Sequence, residues 1–458
     1  MGKIALLLSL GFTAYLYYRE FRTSKSSRAL WIPTIWLLII GSRKPNQWLS
    51  LGSVTHDASQ AHIEGSPVNR LFFFGMIIIG VVILSRRHLD WNRIASDNKW
   101  MLLFFAFTLI SILWSDFPSV SAKRWFKTVI GSVVMALIVL TEKDPADAIR
   151  SIVRRCAYLL IPLSVIFIKY FPLYGRHIHP FSDQTINQGA TLGKNQLGGL
   201  CLICGLVLVS TCIQRGAWKH KKALAIDGAL LLMVVWLLKK ADSATSLLCL
   251  IGGSTVLYLA RRPSFRGLFM VVARNFGVVV VLSIPFVIIS AELALSTVGT
   301  VTGHADTLFG RVKLWGVLID MSDAPILGQG FEGFWVSERL ETLWAIYWWQ
   351  PTSAHNGYVE TYLAGGLIRV LLLIFAIVAA VRRVSLKAAD AEMQILLFAY
   401  LVVGILYNIT ESAYDGLHIV MFSFLLAGIT TPGQFGIIPK AKFLKRPRPV
   451  YGDRLVRV

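Results

Sequence analysis

Residues 357–381 read GYVETYLAGGLIRVLLLIFAIVAAV, twenty-five positions holding only two charged side chains, Glu360 and Arg369. At a rise of about 1.5 Å per residue, a helix of that length exceeds the roughly 30 Å hydrocarbon core of a bilayer. The stretch predicts a membrane-spanning helix. Comparable apolar runs recur at 4–18, 29–41, 71–85, 100–113, 125–140, 156–170, 197–213, 223–238, 244–260, 275–295, 393–409 and 417–430. Several are short, 29–41 above all. Together they predict an all-α integral membrane protein of about thirteen transmembrane helices (roughly 11–14), one polytopic domain over 1–458.

Composition points the same way. Of 458 residues 55% are hydrophobic and only 16% charged, more apolar material than a soluble core needs. The net charge of +21 raises nucleic acid as a partner, but the distribution of the charge argues for a membrane. Thirty of the forty-six Lys and Arg lie in 19–28, 86–99, 142–155, 214–222, 261–274, 382–392 and the tail 431–458. These segments alternate along the chain and read as cytoplasmic by the positive-inside rule, with the basic tail anchored to the inner leaflet. The charge therefore requires no nucleic acid. The first apolar run reaches Tyr17-Tyr18-Arg19 without a small-residue cleavage pattern, so no cleavable signal is expected. Cys156, Cys201, Cys204, Cys212 and Cys249 fall in or beside predicted helices. Cys201 and Cys204 form a C-x-x-C inside an apolar run, which reads as packing, not redox or metal chemistry.

The alternation leaves 42–70, 114–123, 171–196 and 297–356 as outer connections. The long outer loop 297–355 carries Arg311, Trp315, an aromatic cluster at Trp344, Tyr347, Trp348 and Trp349, and ends at Ser353-Ala354-His355, with Asn356 next. A loop this long is functional or holds helices of its own. The aromatic rings suit the membrane interface and also sugar stacking. Cations on translocated loops work against the insertion bias, so Arg176, Lys194, Arg311, Lys313 and Arg339 call for a reason, and phosphate is the natural one. Lys194 and Asn195 open a predicted helix, where backbone N–H groups favour anions; a snorkelling Lys beside an Asn cap is the plainer reading. His177 and His179 have no Cys or carboxylate cluster to complete a ligand set, so no metal is expected. Gly328-Gln329-Gly330 lacks the Gly-Lys-Ser/Thr of a nucleotide loop, and no G-x-S-x-G occurs. A transporter would use the same cations for binding, yet the two halves show no repeat.

Five short motifs resemble the bacterial O-antigen ligase and polymerase superfamily, and within it the exopolysaccharide polymerase-like branch. They are Ser111-Ile112-Leu113-Trp114-Ser115-Asp116-Phe117-Pro118, Lys194-Asn195-Gln196-Leu197-Gly198, Gly310-Arg311-Val312-Lys313-Leu314-Trp315, the run from Pro325 to Phe331, and His355-Asn356-Gly357-Tyr358 followed by Gly365-Gly366-Leu367. They span about 111–367 in the expected order. The resemblance implies a membrane-embedded, metal-independent, inverting glycosyltransferase of the bacterial inner membrane. Its active site would lie on the periplasmic face, with an undecaprenyl-diphosphate-linked glycan as donor, a sugar hydroxyl as acceptor and no cofactor. Membrane lipids, a chain-length regulator and a flippase are the further candidate partners. In such enzymes an Arg in the long loop and a His at its end are functional, which implies Arg311 and His355 as the catalytic pair here. Lys194, Asn195, Arg176, Trp315, Asn356 and Arg369 are the substrate-binding candidates, and Asp306 and Glu332 are candidates for orienting His355 or the acceptor.

Two departures stand out. Ser243-Ala244-Thr245 replaces a Ser-Arg-Thr or Ser-Lys-Thr triplet, removing a cation that Lys194, Lys239 or Lys240 would have to replace. Arg369 takes the place of a small residue inside an apolar run, where an unpaired charge costs on the order of 3 kcal/mol. It is either a second phosphate ligand or a structural partner of Glu360, Glu411 or Asp415. The Tyr174 to Gly198 stretch with Lys194-Asn195, which resembles the exopolysaccharide branch, and Ser243-Ala244-Thr245 in place of the cationic triplet favour a polymerase of lipid-linked repeat units over a ligase that caps lipid A core.

Overall fold

A computed structural model describes residues 1–23, 26–50, 66–178, 185–214, 221–262, 264–265, 271, 275, 305–336, 338–347, 349–386 and 391–431. The predicted span 275–295 (Asn275 apart) and the basic tail beyond Thr431 lie outside the described residues. The described residues are helical apart from one two-stranded ribbon and the connecting turns. Its elements are α1 (Gly2–Thr23), α2 (Trp31–Ile40), α3 (Pro45–Leu49), α4 (Pro67–Ser85), α5 (Trp91–Asp97), α6 (Lys99–Ile110), α7 (Pro118–Trp125) and α8 (Gly131–Leu140). Then come α9 (Pro145–Tyr170), β1 (Arg176–Ile178), β2 (Thr185–Asn187), α10 (Lys194–Gln214), α11 (Lys221–Ala241) and α12 (Ala244–Leu259). The last five are α13 (Ala305–Asp320), α14 (Glu338–Ile346), α15 (Gly357–Leu386), α16 (Ala391–Thr410) and α17 (Ile419–Gly428).

Among the described residues five helices are long and apolar enough to cross a membrane: α4, α9, α10, α15 over Gly357–Val384 and α16 over Glu392–Thr410. The pair α5 and α6, bent by 89°, makes a sixth if it counts as one span. The expectation of thirteen spans is therefore corrected. Apolar runs at 29–41, 244–260 and 417–430 form helices of only 10 to 16 residues. The run at 125–140 is interrupted by a π-helical turn, Phe126–Ile130. Helices α1 and α11 reach 22 and 21 residues, but charged side chains dilute them, and Glu20 of α1 turns inward to pair with Arg155 of α9 at 3.2 Å. Hydropathy marks what avoids water and does not separate a lipid-facing span from a core helix.

The interior is built on α9, α10 and α16. The apolar window of α10 is 78% buried and that of α4 only 28%, so α10 is a core helix and α4 faces outward. Helix α10 packs on α9, α11 and α12, and α12 on α16. Gly198 on α10 allows close approach, since a Cβ there would press on Ser243 and Ser246.

The described part of the 297–355 segment, from Ala305 onward, contains helices of its own, α13 and α14, and packs around Leu314, Trp315, Leu318, Phe334 and Leu343. Its Pro325–Gln329 turn docks into α15. Helix α15 breaks at Gly366 (φ 59°, ψ −161°), and the freed groups are taken up across the break. Leu367 N donates to Pro325 O at 2.9 Å, and Gln329 N donates to Leu363 O at 2.8 Å. Only glycine adopts this backbone without strain, and a Cβ would collide with Ile326. Trp114 Nε1 donates to Leu327 O at 3.2 Å, and Asp116 pairs with Arg339 at 2.7 Å, so the 111–118 motif also holds the loop in place.

Candidate functional site

Three chain segments meet at the short turn after α16, and Glu411 joins them. Asn195 Nδ2, in the first turn of α10, donates to Glu411 Oε2 at 2.8 Å. Arg311 on α13 places Nη1 against the Thr410 carbonyl and 3.2 Å from Glu411 Oε1. His355 Nδ1 stands 3.5 Å from Glu411 Oε2, long for a hydrogen bond but within electrostatic contact. The Glu411 side chain is 8% exposed, Arg311 19% and His355 30%, so a buried carboxylate orients two groups that solvent or substrate can reach.

The backbone of His355 is clamped on both sides. On one side Trp315 Nε1 donates to Ala354 O at 2.7 Å, and Ala354 N donates to the buried Glu360 at 2.6 Å. On the other, Asn356 Oδ1 accepts from Tyr358 N at 2.9 Å and Val359 N at 3.1 Å, the N-cap of α15. Gly357 N donates to Glu411 O at 3.1 Å. Between these anchors His355 takes a left-handed conformation, φ 49°, uncommon for a residue with a Cβ and characteristic of functional sites. Asn408 fixes the opposite wall: its Oδ1 accepts from Ala413 N at 2.8 Å and Tyr414 N at 3.1 Å.

The sequence candidates thus separate. Arg311, His355 and Asn195 come together. Lys194 is half-buried at the mouth of the same helix. Trp315 is buried and braces Ala354 through Nε1, and Asn356 uses Oδ1 as a helix cap. Arg176 lies on β1 with Nε donating to Ile168 O at 3.0 Å, which satisfies a carbonyl at the C-terminus of α9. Arg369 is 1% exposed and forms a bidentate pair with Asp415 between the rings of Phe104 and Phe331, the structural alternative of the two. Glu332 pairs with Arg124 at 3.2 Å and does not orient His355. The side chains of Asp306, His179 and Trp348 lie outside the described residues. Among the described residues no group of three or more His, Cys, Asp or Glu side chains could hold a metal ion. The five cysteines are free, and Cys201 and Cys204 are buried.

The triplet Ser243-Ala244-Thr245 borders this site. Thr245 Oγ1 lies 2.6 Å from Thr410 Oγ1, beside the carbonyl that receives Arg311. Sequence reasoning missed the central position of Glu411, which it weighed only as a partner for Arg369. A carboxylate just past an apolar run, in Asn408-Ile409-Thr410-Glu411, was the available signal.

A curated relative, the exopolysaccharide production protein ExoQ of Rhizobium meliloti (strain 1021), is 28% identical over 351 residues, covering 72% of this chain and 75% of the relative. This similarity agrees with the resemblance carried by the five motifs. No family model matches the chain, and no solved structure does.

Proposed function

We propose that the protein is a membrane glycosyltransferase that polymerises lipid-diphosphate-linked repeat units into exopolysaccharide at the periplasmic face of the inner membrane. The observation that carries this reading is Glu411, which holds Arg311 through one oxygen and faces His355 with the other. The similarity to an exopolysaccharide production protein supports the pathway.

The donor is a glycan on undecaprenyl diphosphate, and the nucleophile is a hydroxyl of the acceptor sugar. A hydroxyl is a weak nucleophile near neutral pH and gains from a base, a task for which imidazole suits. With Nδ1 turned to Glu411, Nε2 is the atom that accepts the proton. The hydroxyl oxygen attacks the anomeric carbon as its bond to the diphosphate breaks on the opposite side, inverting the configuration. The electron pair leaves on the diphosphate, and Glu411 stabilises the imidazolium that forms. Arg311 uses Nη1 on Thr410 and Glu411, leaving Nε and Nη2 for the leaving group, where charge grows most in the transition state. Lys194 and Asn195 line the approach at the positive end of α10.

A gene deletion tests the reading. Glycans that persist as single repeat units with long polymer absent support a polymerase; full-length polymer stranded on its carrier lipid supports a ligase to lipid A core instead. Unchanged polymer would overturn both. A flippase supplying the donor and a chain-length regulator are the partner proteins this reaction implies.

A further inference from the structure

A second concentration of charge involves none of the side chains paired with Glu411. Lys44 caps α3 at its N-terminus, Arg124 ends α7, and Lys127 sits in the π-helical turn Phe126–Ile130. A π-helical turn inside a helix commonly marks a functional position. Opposite them stands one carboxylate, Glu332, which takes a left-handed backbone, φ 50°, and pairs with Arg124 at 3.2 Å. Glu332 attracts both lysine ammonium groups, Arg124 repels both, and Lys44 and Lys127 repel each other. Among the described residues neither lysine forms an ion pair with a carboxylate.

These cations are held in place. Asn46 and Asn69 exchange two hydrogen bonds, at 3.1 and 2.7 Å, that tie α3 to the start of α4. The preceding residue, Arg43, is buried and donates to Thr191 O at 3.2 Å and Gly189 O at 3.3 Å, locking this turn to the entry of α10. Lys127 Nζ stands 6.0 Å from the Phe73 ring on α4. On the same helix Leu71, Phe74 and Ile78 are exposed, so the cluster borders the apolar surface of the bundle.

Among the described residues, three cations against one carboxylate leave a formal excess of two positive charges beside that surface. Like charges held this close repel one another unless a counter-anion joins them. Two point-charge ammonium groups around a guanidinium suit phosphate oxygens. We propose that Lys44, Arg124 and Lys127 form an anion site, distinct from the Glu411 site, that binds a phosphate-type group. That group could be carried by a membrane lipid headgroup or by a free or substrate-borne diphosphate. The site stands whether or not the protein transfers sugar.

Full-length protein in neutral phosphatidylcholine nanodiscs tests this by thermal unfolding, titrated with inorganic pyrophosphate or with increasing phosphatidylglycerol in the disc. For wild type, Tm rises with at least one probe. In Lys44→Gln/Lys127→Gln the half-saturating amount of that probe increases about tenfold, and in Glu332→Gln it falls, because the repelling carboxylate is gone. A response to phosphatidylglycerol alone assigns the site to lipid headgroups, and a response to pyrophosphate alone assigns it to a diphosphate. If both variants respond as wild type does, or no probe stabilises wild type, the proposal is wrong. Glu332→Gln keeps the test decisive should the double variant not fold.

Discussion

His355 Nδ1 lies 3.5 Å from Glu411 Oε2, the same oxygen that accepts from Asn195 at 2.8 Å, while Glu411 Oε1 pairs with Arg311. One carboxylate thereby sets the direction of an imidazole and a guanidinium that come from opposite ends of the 305–355 segment. Glu411→Gln keeps the size and the link to Asn195 but loses the charge. Transfer should fall on the order of 10²-fold, part of the 10² to 10⁴ that acid–base catalysis contributes, with Tm close to wild type. Full turnover in a folded Glu411→Gln protein would remove Glu411 from the mechanism.

Arg369 and Asp415 form a buried pair, so losing one partner strands a charge. Arg369→Met alone should cost about 3–5 kcal/mol and lower the folded yield in detergent. Arg369→Met/Asp415→Asn should recover much of that loss in thermal unfolding. A fully stable Arg369→Met protein without transfer would instead make Arg369 a phosphate ligand.

The break in α15 depends on Gly366. Gly366→Ala should destabilise the protein by about 1–3 kcal/mol, because the backbone is strained for alanine and Ile326 occupies the space of the new Cβ. A Tm equal to wild type would mean that the Pro325–Gln329 turn is not docked there.

How far these features can be read from sequence follows from their physics. Membrane class was legible because apolar length is a one-dimensional property. Helix count was not, since α2, α12 and α17 are as apolar as spans but too short, and the ends of their runs are fixed by neighbours. Arg311, His355 and Asn195 were found through short motifs, and the structure gathers them. Trp315 and Asn356 belong to the same motifs yet support the backbone, a distinction that only the hydrogen-bond partners reveal. Glu411 comes from a different part of the chain and meets them only through the packing of α10, α13 and α16.

Orientation is open to direct labelling. In a protein whose five cysteines are replaced by alanine, Thr352→Cys, exposed three residues before His355, should react with a membrane-impermeant maleimide applied from the periplasmic side. Reaction only after the cytoplasmic side is opened would place the Glu411 site on the wrong face for the proposed donor.

The central claim is bond formation at His355 and Arg311, and purified protein in liposomes with an undecaprenyl-diphosphate-linked oligosaccharide tests it. The lipid diphosphate released and the new glycosidic bonds formed should appear in equal amounts. Both should fall by a factor on the order of 10² to 10³ in Arg311→Ala and be lost in His355→Ala, with neither variant unfolded. Lipid-linked glycan that is bound or moved across the bilayer with no lipid diphosphate released, or release undiminished in His355→Ala, would contradict the account.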